Sequence, residues 1–346
     1  MEDSPKLRKI NWYRSPVERD LLAALNQRSD GKGLLQTLGH LGLLLLTGAT
    51  AWYASLQGMW LLFAALLFLH GTFYAFLLNG FHELCHSSVF KSKALNTGFL
   101  YLFSFLGGYN PVFFWASHQE HHKYTLHPPD DLEVVLPIEL TMESFLKTAV
   151  VNPWGFFNRL KGVVRLSRGR IEGKWEEILF PEAKPEQRRH LIGWARVLLV
   201  GHGLLALVSL YLGLWQLPVL ITLAPYYGGW LLYLCNNTQH VGLQDCVPDF
   251  RLCTRTIRLH PFVQFLYWHM NFHTEHHMYA AVPCYHLAKL HRAIASDLPR
   301  PTVGLHETWK EIIPILQKQK ADPTYQFVPE LPSPSPVYTG SQAATA

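Results

Sequence analysis

Four long apolar stretches restrict the possible folds of this chain more than any other feature. They cover residues 34–53, 60–78, 191–212 and 215–234. Each is close to the roughly 20 residues that an α-helix needs to cross a bilayer. The whole chain is 49% hydrophobic and only 16% charged, whereas a soluble domain usually carries about 25% charged residues. The pattern predicts an all-α integral membrane protein with four transmembrane helices.

Apart from Arg196, the basic residues fall into three segments that the paired apolar stretches separate. Seven lie in residues 1–33, thirteen in 81–190 and nine in 236–346, and the short gaps within each pair hold none. Because cytoplasmic loops are enriched in Lys and Arg, we expect all three segments on the cytoplasmic side. The spans then form two hairpins, and both termini are cytoplasmic. The net charge of +5 suits contact with anionic membrane lipids and not with nucleic acid.

Nine histidines are grouped beside the apolar stretches. One HxxxH box, two HxxHH boxes and a single histidine contain them: His82, His86, His118, His121, His122, His240, His273, His276 and His277. On a helix, residues three and four apart share a face, so each box presents two or three imidazoles together. The topology places all of them on the cytoplasmic side. The boxes therefore predict a polynuclear metal site at a membrane surface.

The number of histidines narrows the choice of metal. Imidazole alone suits zinc, copper, iron and nickel. A structural zinc is satisfied by four ligands, often including thiolates, whereas nine histidines shared by two ions give four or five each. That number suits two irons that keep a position open for oxygen. Carboxylates often orient such imidazoles; the candidates are Glu83, Glu120 and Glu275, while Asp130, Asp131, Asp245 and Asp249 are either further candidates or loop caps.

The order and spacing of the boxes resemble those of the membrane fatty acid desaturase and hydroxylase superfamily. The resemblance covers about residues 35–295 and implies a cytosolic helical cap that carries the boxes. It implies two non-haem irons, dioxygen as co-substrate, and an external electron donor of the ferredoxin or cytochrome b5 type. It also implies that the nine box histidines are the metal ligands, with Asn236 in a water-bridged position that Asn237 could fill instead. No catalytic residue beyond the ligands and no organic cofactor are expected.

Histidines outside the boxes receive different interpretations. His269 lies four residues before His273, and we expect it on the same helical face, as a group that supports the ligands. His40, His70 and His202 lie within or beside the apolar stretches, and we expect them to bond helix backbone. His260 is expected at the surface.

The resemblance and the apolar pattern together divide the chain into four parts. We expect a polar cytosolic segment over 1–33, a desaturase-like catalytic domain over 34–295, a cytosolic helix over 296–321 and a disordered tail over 322–346. The tail is rich in Pro, Ser, Thr and Ala, a composition that disfavours a packed core. Within the domain, residues 94–116 are apolar but interrupted at Gly107–Pro111. They re-enter the membrane or pack over the site. Residues 149–189 alternate basic and apolar residues, which predicts an amphipathic interfacial helix.

The same ligands serve more than one reaction. We expect an oxygen-dependent membrane oxidase that desaturates a fatty-acyl or lipid-linked chain. Hydroxylation or epoxidation of a lipid or another hydrophobic metabolite is the alternative, and the boxes do not choose between them. A membrane metal transporter or sensor is a remote alternative, because transport would place polar ligands within the spans.

Overall fold

Six helices form the N-terminal half of the protein. The computed structural model describes residues 9–332. The helices are α1 (Arg19–Leu25), α2 (Asp30–Leu56), α3 (Trp60–Ala75), α4 (Leu77–Cys85), α5 (Lys93–Gly107) and α6 (Pro111–Tyr124).

Helices α2 and α3 form an antiparallel pair. The Ser29 hydroxyl accepts a hydrogen bond from the Lys32 amide and caps α2. The chain reverses after Leu56 through Gly58, whose left-handed conformation (φ +67°) costs glycine little. Only Phe76 separates α3 from α4. The stretches 30–56 and 60–85 are each long and apolar enough to cross a membrane, so the first two predicted spans are present as helices.

The middle of the chain contains the third candidate span. Its elements are α7 (Met142–Ala149), α8 (Pro153–Ser167), α9 (Lys174–Leu179), α10 (Pro185–Tyr211), α11 (Gln216–Leu220), a 3₁₀ turn (Ala224–Tyr226) and α12 (Trp230–Asn236). Helix α10 is long and apolar enough to cross a membrane and contains most of the predicted span 191–212. Helix α8 exposes Trp154 and Phe157 within the segment predicted to be amphipathic.

The fourth predicted span, 215–234, is not one continuous helix. Helix α11, the 3₁₀ turn and α12 divide it into three short pieces. Pro225 is the second residue of the 3₁₀ turn, and a proline disfavours the helical conformation in the residue before it. Gly228 then adopts φ +67°, which no α-helix accommodates. Within residues 9–332, three helices and not four therefore have the length and hydropathy of a membrane span.

A close contact between α3 and the 227–228 turn explains why two glycines lie there. A Cβ atom on Gly71 would lie 2.2 Å from the Tyr227 carbonyl oxygen, and one on Gly228 would lie 2.5 Å from the Phe68 carbonyl oxygen. Both distances are far below van der Waals contact. The broken segment is thus fixed directly against the backbone of α3.

We expect the substitution Gly71→Ala to destabilise the protein by about 1–3 kcal/mol, the usual cost of an added methyl group in a full core. The added Cβ meets backbone, which cannot move aside as a flexible side chain can. Thermal unfolding in detergent measures the effect. Gly42→Ala is the matched control because its Cβ would have no neighbour within 4 Å. Equal transition temperatures for the two variants would contradict the prediction.

The C-terminal part folds over the ends of these helices. It consists of α13 (Phe250–Cys253), β1 (Ile257–Arg258), α14 (Pro261–Leu266), α15 (His273–Met278), α16 (Cys284–Ile294), a 3₁₀ turn (Ala295–Asp297), β2 (Thr302–Val303) and α17 (Gly304–Ala321). Strands β1 and β2 pair in parallel, with Ile257 opposite Thr302. The short sheet therefore joins the segment after α13 to the start of α17.

The residues after α17 continue along the protein. The Phe327 amide donates to the Gly242 carbonyl (2.7 Å), and the Gln326 side chain donates to Asp245 (2.6 Å). The start of the predicted tail thus contacts the loop after α12. The rest of that predicted tail, residues 333–346, and residues 1–8 of the predicted polar segment lie outside the described residues.

Buried aromatic side chains connect the helical hairpin to the C-terminal part. Trp268 is fully buried, and its indole N–H donates to His40 Nδ1 (3.0 Å). The other nitrogen of His40 therefore donates to the Phe73 carbonyl (3.0 Å). His70 and His202 likewise lie within hydrogen-bond distance of backbone carbonyls. These three histidines bond helix backbone, as the sequence predicts.

Candidate metal centre

The first histidine box lies at the end of the second candidate span. His82 is in the last turn of α4, and His86 is the residue that caps that helix. Their ring centroids are 4.9 Å apart. The spacing of four residues places both imidazoles on one face of the helix end, where α5 and α6 also approach.

The second box lies on α6, whose start is fixed by its own sequence. The Asn110 side chain accepts hydrogen bonds from the Val112 and Phe113 amides, and Pro111 occupies the first helical position, where its missing N–H costs nothing. The predicted interruption at 107–111 is this end of α5 and start of α6. His118 and His121 are buried and His122 is half-buried.

The third box and the lone histidine come from the C-terminal part. His273, His276 and His277 lie on the short helix α15, and all three are buried. His240 lies in the loop after α12, where its Nδ1 is 2.9 Å from the Cys253 carbonyl oxygen. Arg255 clamps that loop, because its guanidinium donates to the Thr238 and Val241 carbonyls.

All nine imidazoles converge, in two groups. One group of five has ligand atoms within 4.8 Å of one another: His82, His86, His118, His122 and His276. The other contains His121, His240 and His277 within the same limit. His273 joins this second group, since its Nε2 lies 2.9 Å from that of His240 and 3.2 Å from that of His277. The two groups adjoin, with His121 and His122 neighbours in sequence but members of different groups.

The outer nitrogens of two rings in the second box contact carboxylates. His118 Nδ1 lies 2.8 Å from Glu133, and His121 Nδ1 lies 2.8 Å from Asp131. A neutral imidazole has one N–H and one lone pair. Where Nδ1–H donates outward, Nε2 therefore turns a lone pair inward. Such outward bonds fix the orientation of metal-ligating histidines.

The inner nitrogens converge more closely than hydrogen bonds among them can satisfy, because the Nε2 atoms of three histidines, His82, His86 and His122, lie within 3.1 Å of the single Nε2 lone pair of His118. His82 Nε2 and His118 Nε2 are only 2.6 Å apart, and the bond of His118 to Glu133 leaves its Nε2 without a proton. Buried lone pairs that converge in this way repel one another, and a metal ion between them removes that repulsion. The residues present therefore fit a pair of metal ions held by nitrogen ligands.

Glu83 lies between the first and third boxes. This carboxylate is fully buried, and its Oε1 is 3.5 Å from His82 Nδ1 and 3.6 Å from His276 Nδ1. Both separations slightly exceed a hydrogen bond. Of the three carboxylates within the boxes, Glu83 is the one beside ligand imidazoles. Glu120 instead pairs with Lys123 (2.7 Å).

Glu275 and the loop aspartates have other partners. Glu275 bonds the Thr256 hydroxyl and His291, on the side of α15 away from the centre. Asp249 caps α13, and Asp245 bonds Gln326. Asp131 is therefore the one aspartate among the four candidates that contacts a box histidine in the described part of the chain.

Glu133 and Thr125 are supporting residues that the sequence analysis did not identify. Glu133 accepts from both His118 and the Ser117 hydroxyl, and the Thr125 hydroxyl lies 3.2 Å from His277 Nδ1. Both follow box 2 closely in sequence. That proximity is the only signal that could have pointed to them.

Burial keeps most of the imidazoles neutral. It lowers the pKa of His86 and of His240 to about 3. His121 differs: burial alone would lower its pKa, but the hydrogen bond and the charge of Asp131 outweigh that effect and raise it. The same pairing lowers the pKa of Asp131 despite its burial. Since neutral imidazole is the form that binds metal, the group is ready to ligate at neutral pH.

Two predicted supporting residues lie in unexpected surroundings. Asn236 ends α12, and its side-chain oxygen lies 3.4 Å from the side-chain nitrogen of Asn79. The role of Asn236 as a water-bridged ligand stays a prediction. The prediction that His269 and His273 share one face of a helix is wrong. Trp268 and His269 both have positive φ values and α15 begins only at His273, so His269 turns to Gln264 (3.1 Å) instead.

An apolar cleft reaches the wall of the centre. A cavity of about 230 Å³ lies between α8 and α10, and a second of about 230 Å³ adjoins it. Both are lined by Arg159 and Leu198, and the second also by Phe81 and Phe114. Phe114 stacks on His118 with ring centroids 4.9 Å apart. The cleft thus ends at the ring of Phe114, which separates it from the box histidine His118.

Comparisons with known proteins agree with this geometry. The family model described as "Fatty acid desaturase" matches residues 58–309 of the chain. The Delta(6)-fatty-acid desaturase fat-3 of Caenorhabditis elegans is 25% identical over 262 residues. That alignment covers 68% of this chain and 58% of the worm protein. The chain therefore corresponds to somewhat more than half the length of that relative.

Proposed function

The chain belongs to the fatty acid desaturase family, and from that membership we propose that it is an oxygen-dependent membrane oxidase that desaturates a fatty-acyl or lipid-linked hydrocarbon chain. The observation that carries the proposal is the convergence of nine box imidazoles in a group of five and an adjoining group of four. Two non-haem irons held there would supply the dioxygen activation that removes hydrogen from an unactivated C–H bond.

The protein's own residues have three tasks in this proposal. The nine box histidines would bind the two irons. Asn236 is a further candidate ligand, through a bridging water. Asp131 orients His121 and Glu133 orients His118, so that each inner nitrogen points into its own group of imidazoles. Aromatic side chains such as the buried Phe81 and the half-buried Phe114 exclude water from the reacting carbons.

The substrate class follows from the family and from the cleft. The cavity between α8 and α10 is lined largely by apolar residues, with Arg159 among them, which suits a hydrocarbon chain better than a polar metabolite. The reaction removes one hydrogen from each of two adjacent carbons. Those two hydrogens, two electrons and two protons reduce one dioxygen to two waters. The electrons come from an external carrier of the ferredoxin or cytochrome b5 type.

We propose a four-span topology for the protein. The broken segment from α11 to α12 would cross the membrane beside α10 and complete a second hairpin. Irregular backbone is tolerated at membrane depth where it is buried in protein or lines a cavity, and Thr222, Pro225 and Tyr226 line the cleft. Both termini and the histidine centre are then cytoplasmic, with residues 34–295 as the catalytic domain and 296–321 as an extension packed on it.

Mass spectrometry of lipids from a host that expresses the chain tests the proposed reaction. We expect a host lipid that has lost two hydrogens, absent when the double variant His276→Ala, His277→Ala is expressed instead. A lipid that gains one oxygen atom would show hydroxylation or epoxidation and overturn desaturation. Metal that exchanges freely with supply, without any oxidised product, would favour a transporter or sensor.

A further inference from the structure

A stack of aromatic rings connects the protein surface with His277. Trp12, in the segment before α1, is half-buried. Its ring lies parallel to that of Phe250, with centroids 4.1 Å apart and an interplanar angle of 9°. Phe250 is fully buried, and its ring centroid is 5.4 Å from that of His277. Two ring contacts therefore span the distance from solvent to a candidate ligand.

Trp12 is also fixed to the end of α6. Its indole N–H donates to the Lys123 carbonyl (2.8 Å), directly after the second box. Its ring meets His127 edge-on at 5.3 Å, and His127 Nδ1 bonds the Thr125 carbonyl (2.8 Å). The Thr125 hydroxyl then approaches His277. The hydrogen bond to Lys123 and the ring contacts with Phe250 and His127 thus hold the indole in one orientation.

The ring of His277 cannot be reached directly from solvent. His277 is only 2% exposed and His121 is also 2% exposed, so a carrier protein cannot touch either ring. Electron tunnelling slows steeply with distance, and a series of side chains in contact couples its two ends better than a path interrupted by gaps. The path from Trp12 through Phe250 to His277 consists of neighbouring rings in contact.

We propose that electrons from a one-electron carrier protein reach the histidine centre by tunnelling along the contact path from Trp12 through Phe250 to His277. The inference rests on the proposed function, since a dioxygen-dependent oxidation needs reducing equivalents from outside. Each transfer oxidises one carrier, at the iron–sulfur cluster of a ferredoxin or the haem of a cytochrome b5, and delivers one electron. Two transfers complete one turnover.

Trp115 offers the competing path. Its ring meets His86 edge-on at 5.5 Å, and it lines a cavity of about 380 Å³ together with Tyr101 and Phe180. This path has one ring contact instead of two, but its rings are perpendicular (88°), whereas the rings of Phe250 and His277 are inclined by 44°. The stacked geometry at Trp12 favours the N-terminal side.

Anaerobic stopped-flow measurement with the metal-loaded, full-length protein tests the proposal. The soluble domain of cytochrome b5 and a [2Fe–2S] ferredoxin are reduced beforehand, and their oxidation is followed in their own visible spectra. We expect Trp12→Leu to slow oxidation of the carrier that serves the wild type by about tenfold or more, which is roughly 1.4 kcal/mol of activation free energy. Trp12→Phe, which keeps a ring on Phe250, should recover most of the rate.

Three further measurements separate conduction from packing. Metal content and reduction by the small mediator methyl viologen should be unchanged in Trp12→Leu. Trp60→Leu, at an exposed tryptophan at the start of α3, is the matched control and should behave as wild type. Binding of the oxidised carrier to metal-free protein reports docking alone.

Several results would overturn the proposal. An unchanged carrier rate in Trp12→Leu excludes conduction through the stack. An equal loss with the mediator, or a loss of metal, reduces Trp12 to a packing residue. A slow Trp115→Leu beside a normal Trp12→Leu moves the path to His86. Failure of the proposed function looks different, because carrier oxidation would then depend on Trp12 while no lipid product forms.

Discussion

Replacing His276 or His121 by alanine is expected to abolish acyl oxidation while the protein still inserts into membranes. His276 belongs to the group of five imidazoles and His121 to the adjoining group, so the two variants test both groups. Each variant loses one nitrogen from a convergent set of imidazoles. Product formation by mass spectrometry and bound iron per chain by elemental analysis should fall together.

The control for this experiment is His260→Ala. His260 is exposed, and its ring accepts a hydrogen bond from the Phe262 amide, so we expect near-normal activity and normal iron content. Insertion is checked by the amount of monodisperse protein extracted from membranes. Full turnover in either box variant would refute the assignment of that histidine as a ligand.

The grouping of the histidines shows which contacts the spacing within one helix can predict and which it cannot. Helical periodicity predicts that His82 and His86 act together, and likewise the members of box 2, because those relations need only one helix. It does not predict that neighbouring His121 and His122 belong to different groups, or that His276 joins the first box while His277 faces His240. Those relations depend on how α4, α6 and α15 cross, which is set by side chains far apart in sequence.

The supporting residues separate in the same way. Glu83 could be predicted because it lies on the helix of box 1, where its position relative to His82 is fixed. Asp131 and Glu133 follow α6 in an irregular loop, whose course the sequence pattern does not determine. Glu120 and Glu275 had the same sequence signal as Glu83, but they lie on helix faces turned away from the centre.

The membrane spans illustrate the limit of composition. The apolar stretch 215–234 is as long as the others. Average hydropathy does not indicate where a helix within such a stretch is interrupted. Pro225 and Gly228 were visible in the sequence, and the close contact of Gly228 with α3 required the fold. His269 was misplaced for a similar reason, since periodicity assumes a helix that Trp268 interrupts with its positive φ.

Asp131→Asn is expected to weaken metal binding by about 10–100-fold, the usual effect of removing a carboxylate that orients a ligand histidine. Asp131 is fully buried, and its Oδ2 accepts from both His121 Nδ1 and the Leu126 amide, at 2.8 Å each. The amide keeps the shape but removes the charge that raises the pKa of His121 and strengthens it as a donor to metal. Titration of purified metal-free protein with ferrous iron under anaerobic conditions measures the change.

The adjacent Asp130 provides the matched control for this substitution. Its residue is only half-buried, so Asp130→Asn should bind iron as the wild type does. The folded structure should persist in Asp131→Asn, because the remaining oxygen of the side chain can still accept from one of the two backbone amides that Asp131 bonds, Leu126 or Glu133. Wild-type iron affinity in Asp131→Asn would mean that packing alone orients His121. A loss in both variants would assign the effect to the net charge of the loop, since His121 contacts only Asp131 of the two.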